Sequence, residues 1–279
     1  MKTATQLKAK SRNLSNETGI PVHIVQRNFL FERFLERASL SEHRNSFIIK
    51  GGMLIASMIG IDIRATVDLD ATLRRRNVDE NVTRQIVNDI ISVSLDDATD
   101  FTLLGMEQTR VESDYPGWRI TLNVAFDGIR DTLKLDITVG DEITPNAIEY
   151  NYKLMFEERR ISLMAYNPET ILAEKYVACV SLGIANSRMK DFYDVFILTK
   201  MYVKNLNHRD FSSAVIKTAI QRHTILADAN LIIEEIAANS EMLRLWKRYQ
   251  VDNSYAADID FLDAVSSLKT LAGWNEQSE

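Results

Sequence analysis

The chain has little of what marks several large protein classes. Among its 279 residues there is one cysteine, Cys179, so no internal disulfide framework can form, and a reducing cytoplasm suits it. Four histidines, His23, His43, His208 and His223, are scattered without ligand spacing, which argues against a zinc site. His23 and His43 flank a helical stretch and are expected at the surface. No apolar run approaches the ~20 residues of a membrane-spanning helix, so no membrane association is expected. The basic residues 1–13 have no apolar stretch behind them and do not read as a secretory signal. Positive charge is also short: 33 Lys and Arg against 39 Asp and Glu give a net charge of −6. A face that grips nucleic acid must therefore be local. Arg74-Arg75-Arg76 is the best placed candidate; Arg159-Arg160 and the group Arg244, Lys247 and Arg248 read more simply as solvated surface. Repeats, low-complexity tracts and flexible linkers are missing. A hydrophobic content of 46% and a charged content of 26% are ordinary for a globular chain of one large or two modest domains.

What is present centres on residues 50–73. In Thr66-Val67-Asp68-Leu69-Asp70-Ala71-Thr72-Leu73, polar and apolar residues alternate. In a strand, Thr66, Asp68, Asp70 and Thr72 would share one face and the apolar residues the other. Two neighbouring carboxylates repel unless a cation sits between them, and hard oxygen donors at this spacing suit Mg²⁺. Upstream, Phe47-Ile48-Ile49 reads as a strand, Gly51-Gly52 as a turn and residues 53–59 as a helix. Backbone N–H groups at such a glycine turn can approach phosphate oxygens, helped by the partial positive charge of the helix start. Taken singly, either feature reads as well as a plain turn or a surface acidic pair. Together in one strand–turn–helix–strand unit they point to a nucleoside-triphosphate site.

Along the chain, residues 1–45 are expected to be helical. Pro21 opens a helix over 22–40 whose apolar residues Ile24, Val25, Phe29, Leu30, Phe34 and Leu35 recur at helical spacing. Residues 46–150 mix strands and helices: an amphipathic helix over 78–93, then strands at 101–111 and 118–126 joined by turn residues. In Thr132-Leu133-Lys134-Leu135-Asp136-Ile137-Thr138-Val139 the alternation returns, so Asp136 can be a third carboxylate on the polar face of the same sheet. Three acids from two strands can hold metal ions for in-line phosphoryl displacement; an exposed acid on a half-solvated strand is the plainer reading. Residues 151–279 are expected to be helical throughout. Asn167-Pro168-Glu169 is a strong helix start. Lys175 falls on that helix's apolar stripe, as a cation at the rim of a phosphate site or one that snorkels to the edge. Arg188, Asp191 and Asp194 follow at i, i+3 and i+6, a spacing that ion pairs on a surface helix would also explain. Further helices are expected near 208–222, 227–238, 240–250 and 258–272.

These motifs, in this order, resemble the AbiEii/AbiGii nucleotidyltransferase-like toxins of the DNA polymerase β-like nucleotidyltransferase superfamily. The resemblance covers roughly residues 1–200. It rests on Phe47-Ile48-Ile49-Lys50-Gly51-Gly52, Arg64-x-Thr66-x-Asp68-Leu69-Asp70, Lys134-Leu135-x4-Gly140-Asp141, Ile171-x3-Lys175 and Arg188-x-Lys190-Asp191-x-x-Asp194, after the lead-in Phe31-Glu32-Arg33-Phe34-Leu35. It implies an α+β fold: a helical lead-in (1–45), a nucleotidyltransferase core with a mixed sheet (46–150), and a helical C-terminal lobe (151–279) completing an active-site cleft. It further implies that Gly51 and Gly52 position phosphate, that Asp68 and Asp70 bind a divalent metal (Mg²⁺ or Mn²⁺), where the strand pattern adds Asp136, and that Lys175 and an acid at Asp191 or Asp194 are needed for activity. Lys50, Arg64, Thr66, Lys134 and Arg188 join Lys175 as nucleotide-binding candidates. The implied function is a toxin of a toxin–antitoxin or phage-defence system that transfers a nucleotide from an NTP, with tRNA as acceptor and a cognate antitoxin as partner. Nucleotide transfer to a protein Ser, Thr or Tyr is the alternative enzyme, and a catalytically silent nucleotide-binding module the alternative of another class. Three departures stand out: no serine follows the glycines, the gap from glycines to acids is long, and Ile171 replaces a leucine.

Overall fold

The computed structural model describes residues 1–60, 66–74, 78–109, 117–226 and 228–276. Contacts divide the chain into two units, 1–141 with 148–165, and 142–147 with 166–279. The first contains α1 (Ala4–Thr18), α2 (Val22–Leu40), β1 (Phe47–Lys50), α3 (Gly51–Ile59), β2 (Leu69–Leu73), α4 (Glu80–Ser92), β3 (Thr99–Gln108), β4 (Gly117–Phe126), β5 (Ile129–Val139), β6 (Ile148–Lys153) and β7 (Arg160–Ala165). The seven strands form one mixed sheet in the order β3-β4-β5-β2-β1-β7-β6. This is the expected α+β architecture with a mixed sheet.

Alternation shapes the central strands. Leu69, Ala71 and Leu73 of β2 and Leu133, Leu135 and Ile137 of β5 are buried, while Asp70 and Asp136 between them are half-buried. The expected strand over 66–73 is shorter than its pattern, because β2 begins at Leu69; Val67 is exposed and Thr72 buried, its hydroxyl donating to Thr138 O. α2 spans the expected 22–40, and Val25, Phe29, Leu30, Phe34 and Leu35 pack inward, with Phe29 edge-on to Phe126 at 5.2 Å.

The polar side of α2 departs from a surface helix. Glu32, Arg33, Glu36 and Arg37 are all buried. Arg37 forks onto Asp97 at 2.8 and 2.9 Å and also donates to Thr99 O. Glu32 takes the backbone N–H of Met155 at 2.9 Å, and burial pushes its carboxyl up to about 8 from an ordinary 4.5. The folded state then binds this proton more tightly than the unfolded chain, so Glu32 lowers stability as pH rises from about 4.5 to about 8. Glu32→Gln removes that dependence. Its urea stability is expected to match wild type near pH 4.5 and to exceed it by a few kcal/mol near pH 9; a pH-independent difference would show Glu32 ionised in the fold.

Two expectations need correction. His43 is buried, not at the surface, because its ring bonds Asp89 on α4 at 2.8 Å. That bond holds the Asp89 carboxyl below its ordinary range. Residues 151–165 are not helical: with 148–150 they form the hairpin β6–β7, and β7 pairs parallel with β1. The pattern was present: Ile161, Leu163 and Ala165 alternate with less buried neighbours.

The second unit is helical, with α5 (Pro168–Leu182), α6 (Met189–Tyr202), α7 (His208–Gln221), α8 (Ala229–Ala238), α9 (Ser240–Asp252) and α10 (Phe261–Glu276). α5 starts as expected: Asn167 Oδ1 accepts from Thr170 N at 2.7 Å, and Pro168 occupies the first turn. Among the described residues no helix is long and apolar enough to cross a membrane.

Candidate active site

In the first unit, strand register assembles a row of charge. β1 pairs antiparallel with β2, setting Lys50 opposite Asp70. β2 pairs parallel with β5, setting Asp70 beside Asp136, and β4 sets Arg119 opposite Asp136. In-register neighbours share a face, so Lys50, Asp70, Asp136 and Arg119 form one line, cation–acid–acid–cation. Two adjacent carboxylates are destabilising unless neutralised, and each here has its own device.

Asp70 sits on the start of α3. Gly51 has φ +61°, and Gly52 N donates to Asp70 Oδ2 at 3.3 Å. A Cβ at Gly51 would lie 2.0 Å from that oxygen. The glycine pair therefore does two things: it permits the left-handed backbone, and it opens space for the carboxylate at the positive end of a helix. Gly51→Ala is expected to cost roughly 1–3 kcal/mol of stability in urea denaturation. In an Asp70→Ala background the added cost should shrink, because the clashing carboxylate is gone; an equal cost in both would leave backbone strain as its whole origin.

Asp136 is held by Arg119, which forks onto both carboxylate oxygens at 2.8 Å. Arg27 grips Asp131 the same way, at 3.0 and 2.9 Å. These bonds, first of all, raise both arginines above their ordinary value, and the nearby charge of Asp68 adds to each shift. Asp68 is half-buried just before β2, and its carbonyl accepts from the hydroxyl of buried Thr66. Lys50 is buried and paired with Asp141, which the Thr138 hydroxyl also meets. Lys134 is exposed on β5. Arg64 lies outside the described residues, as do Arg75 and Arg76.

In the second unit, Lys175 Nζ lies 2.6 Å from Asp191 Oδ1 and 3.1 Å from Asp194 Oδ2. These side chains are 13, 2 and 0% exposed, so the acids of α6 are not part of a surface ladder. Only Arg188, 3.4 Å from Asp191, reaches out. Lys175 is a half-buried cation held between two buried carboxylates rather than one snorkelling to solvent. Cys179, one turn on, is buried, and desolvation first, then the charge of Asp191, pushes its thiol up.

Sequence reasoning missed Arg119 as a partner of Asp136; the signal was its place on the polar face of the strand paired with β5. Glu42, His43 and Asp89 also bring three possible ligand atoms within 4.8 Å, but the His43–Asp89 hydrogen bond accounts for that grouping.

The description that matches this chain is "Nucleotidyl transferase AbiEii toxin, Type IV TA system", over residues 33–267. The chain belongs to the AbiEii nucleotidyl transferase toxin family. Its AbiEii membership makes it a nucleotidyltransferase-type toxin of a type IV toxin–antitoxin system. No curated protein matches the sequence. Two solved structures resemble the AbiEii fold here. JHP933 from Helicobacter pylori has TM-score 0.52 and 15% identity, covering 92% of this chain and 93% of its own. A protein described as a candidate nucleotidyltransferase from H. pylori has TM-score 0.50 and 13% identity, covering 93% and 97%. At these identities the likeness is one of fold.

Proposed function

We propose that this AbiEii protein transfers a nucleotide from an NTP, with Mg²⁺ or Mn²⁺, to the 3′ end of tRNA, in the cytoplasm and under control of a cognate antitoxin. The observation that carries the reading is Asp70, seated on the Gly51–Gly52 helix start and in register with Asp136, in a chain of this family. The donor set fits a hard divalent cation: Asp68 and Asp70 offer half-buried carboxylate oxygens on one strand entry. Asp136 fits as a third donor only when Arg119 releases it. A bound metal would supply charge neutralisation for the phosphates. The chain's residues do the rest by positioning. Gly52 N–H, given up by Asp70, would orient a phosphate oxygen, and Arg119, released from Asp136, could take another. Thr66 keeps the Asp68 backbone in place. Arg64, Lys134 and Lys50 remain nucleotide-contact candidates, Lys50 only on parting from Asp141. Lys175 with Asp191, Asp194 and Arg188 is assigned to the same activity.

The second reading, transfer to a protein hydroxyl, is favoured by the net charge of −6, which suits a polyanionic acceptor poorly. Intact Asp68, Asp70, Lys175 and Asp191 count against a silent binding module. The test offers each α-³²P-labelled NTP, with Mg²⁺, to total tRNA and to total soluble protein. Label on tRNA is expected and names the nucleotide. Label on protein moves the function to protein nucleotidylation. Tight nucleotide binding without pyrophosphate release would support the binding module instead.

A further inference from the structure

Two cations bracket the acid pair of the first unit, and they are not equivalent. The side chain of Lys50, at one end of the row, is 8% exposed and shares Asp141 with the Thr138 hydroxyl. That of Arg119, at the other end, is 45% exposed. Its Nε and Nη2 take the two oxygens of Asp136, each at 2.8 Å, while Nη1 has no hydrogen-bond partner among the described residues. The bond to Asp136 and its charge, then the charges of Asp68 and Glu107, raise Arg119 above its ordinary value. Arg119 therefore stands among the same acids that the metal reading invokes, held by one of them, with a donor to spare.

The fork does two things at once. It relieves the repulsion between Asp136 and its register neighbour Asp70, and it matches the charge that Asp136 would otherwise offer to a divalent cation. A guanidinium fork fits phosphate as well as it fits carboxylate. A pair this exposed is also weak enough to be exchanged for another anion, whereas the buried Lys50 is not placed to leave.

We propose that Arg119 is a latch that couples nucleotide binding to metal binding. Without nucleotide it holds Asp136 and leaves Asp68 and Asp70 as a two-acid site; a triphosphate draws it away, and Asp136 then joins them. Each ligand thus favours the other through one side chain. Departure of pyrophosphate lets Arg119 return to Asp136, which loosens the site again. This deepens the proposed NTP reading of Asp68 and Asp70 and rests on it.

Binding is measured on the full chain without turnover: Mn²⁺ by the electron paramagnetic resonance of the free ion, and inorganic tripolyphosphate by calorimetry in EDTA. Wild type, Arg119→Gln, Asp136→Asn and the double variant form one cycle. With no phosphate present, Arg119→Gln is expected to tighten Mn²⁺ about tenfold on its own, and by less than about threefold beside Asp136→Asn. In EDTA, Asp136→Asn should tighten tripolyphosphate about tenfold on its own, and by less than about threefold beside Arg119→Gln. An arginine acting only through its field would give the same factor in both backgrounds. Arg119→Thr, a good strand former, serves if Arg119→Gln fails to fold. Asp70→Asn separates this inference from the reading beneath it, since it should weaken Mn²⁺ at least about tenfold in every background. Mn²⁺ binding that ignores Asp70 would overturn the metal reading and the latch together. Asp70-dependent Mn²⁺ binding with equal factors in either cycle, or with no binding of tripolyphosphate, would overturn the latch alone.

Discussion

Asp70→Asn is expected to lower nucleotide transfer by at least about 10²-fold, the scale of losing one well-placed charge-stabilising group. The substitution is isosteric. Asparagine Oδ1 can still take the Gly52 N–H, and Ala71 and Leu69 still fill the core on either side. Stability should therefore change little, and what goes is the negative charge proposed to hold a divalent cation. The measurement pairs labelled-nucleotide transfer with urea denaturation. An active variant would remove Asp70 from the chemistry. An inactive but unfolded one would be met by Asp68→Asn, which lies outside β2 and should give the same loss with less risk to the sheet.

Lys175→Met should act the other way, on stability first. It leaves Asp191 and Asp194 buried with the ammonium they share gone, and the exposed Arg188 lies 3.4 Å from Asp191. Breaking a buried ion pair by removing one partner typically costs about 3–5 kcal/mol. Adding Asp191→Asn to Lys175→Met should restore part of that loss, because one of two neighbouring buried carboxylates then carries no charge. A destabilised single variant with a rescued double would assign the cluster a structural part whatever its catalytic one. A single variant as stable as wild type would mean that water reaches these acids. Activity of the rescued double variant then reports whether Lys175 is needed beyond the fold.

How much of this was legible before the fold depends on the range of the interaction. The ends of α2, the cap at Asn167 and the helices from His208 to Glu276 follow from spacing and capping within a few residues. The inward faces of β2 and β5 follow from period-two alternation, and the pairing of Asp70 with Asp136 from two such strands being neighbours. The β6–β7 hairpin was hidden by its weak edge: in β6 only Tyr152 is buried, so the strand offers little apolar pattern. His43 looked like a surface group because its partner, Asp89, lies 46 positions away.

The sequence by itself determined α2, α5 and the helices after them, the buried faces of β2 and β5, and the presence of paired acids after a glycine turn, because each is written in local periodicity. Only the tertiary structure decided the charge partners. Arg119 takes Asp136 from 17 positions away, and Lys50 takes Asp141 from 91. Gly51 is required because Asp70, on another strand, occupies the space its side chain would fill. Pairings of this kind depend on which strands become neighbours, and local periodicity carries no record of that choice.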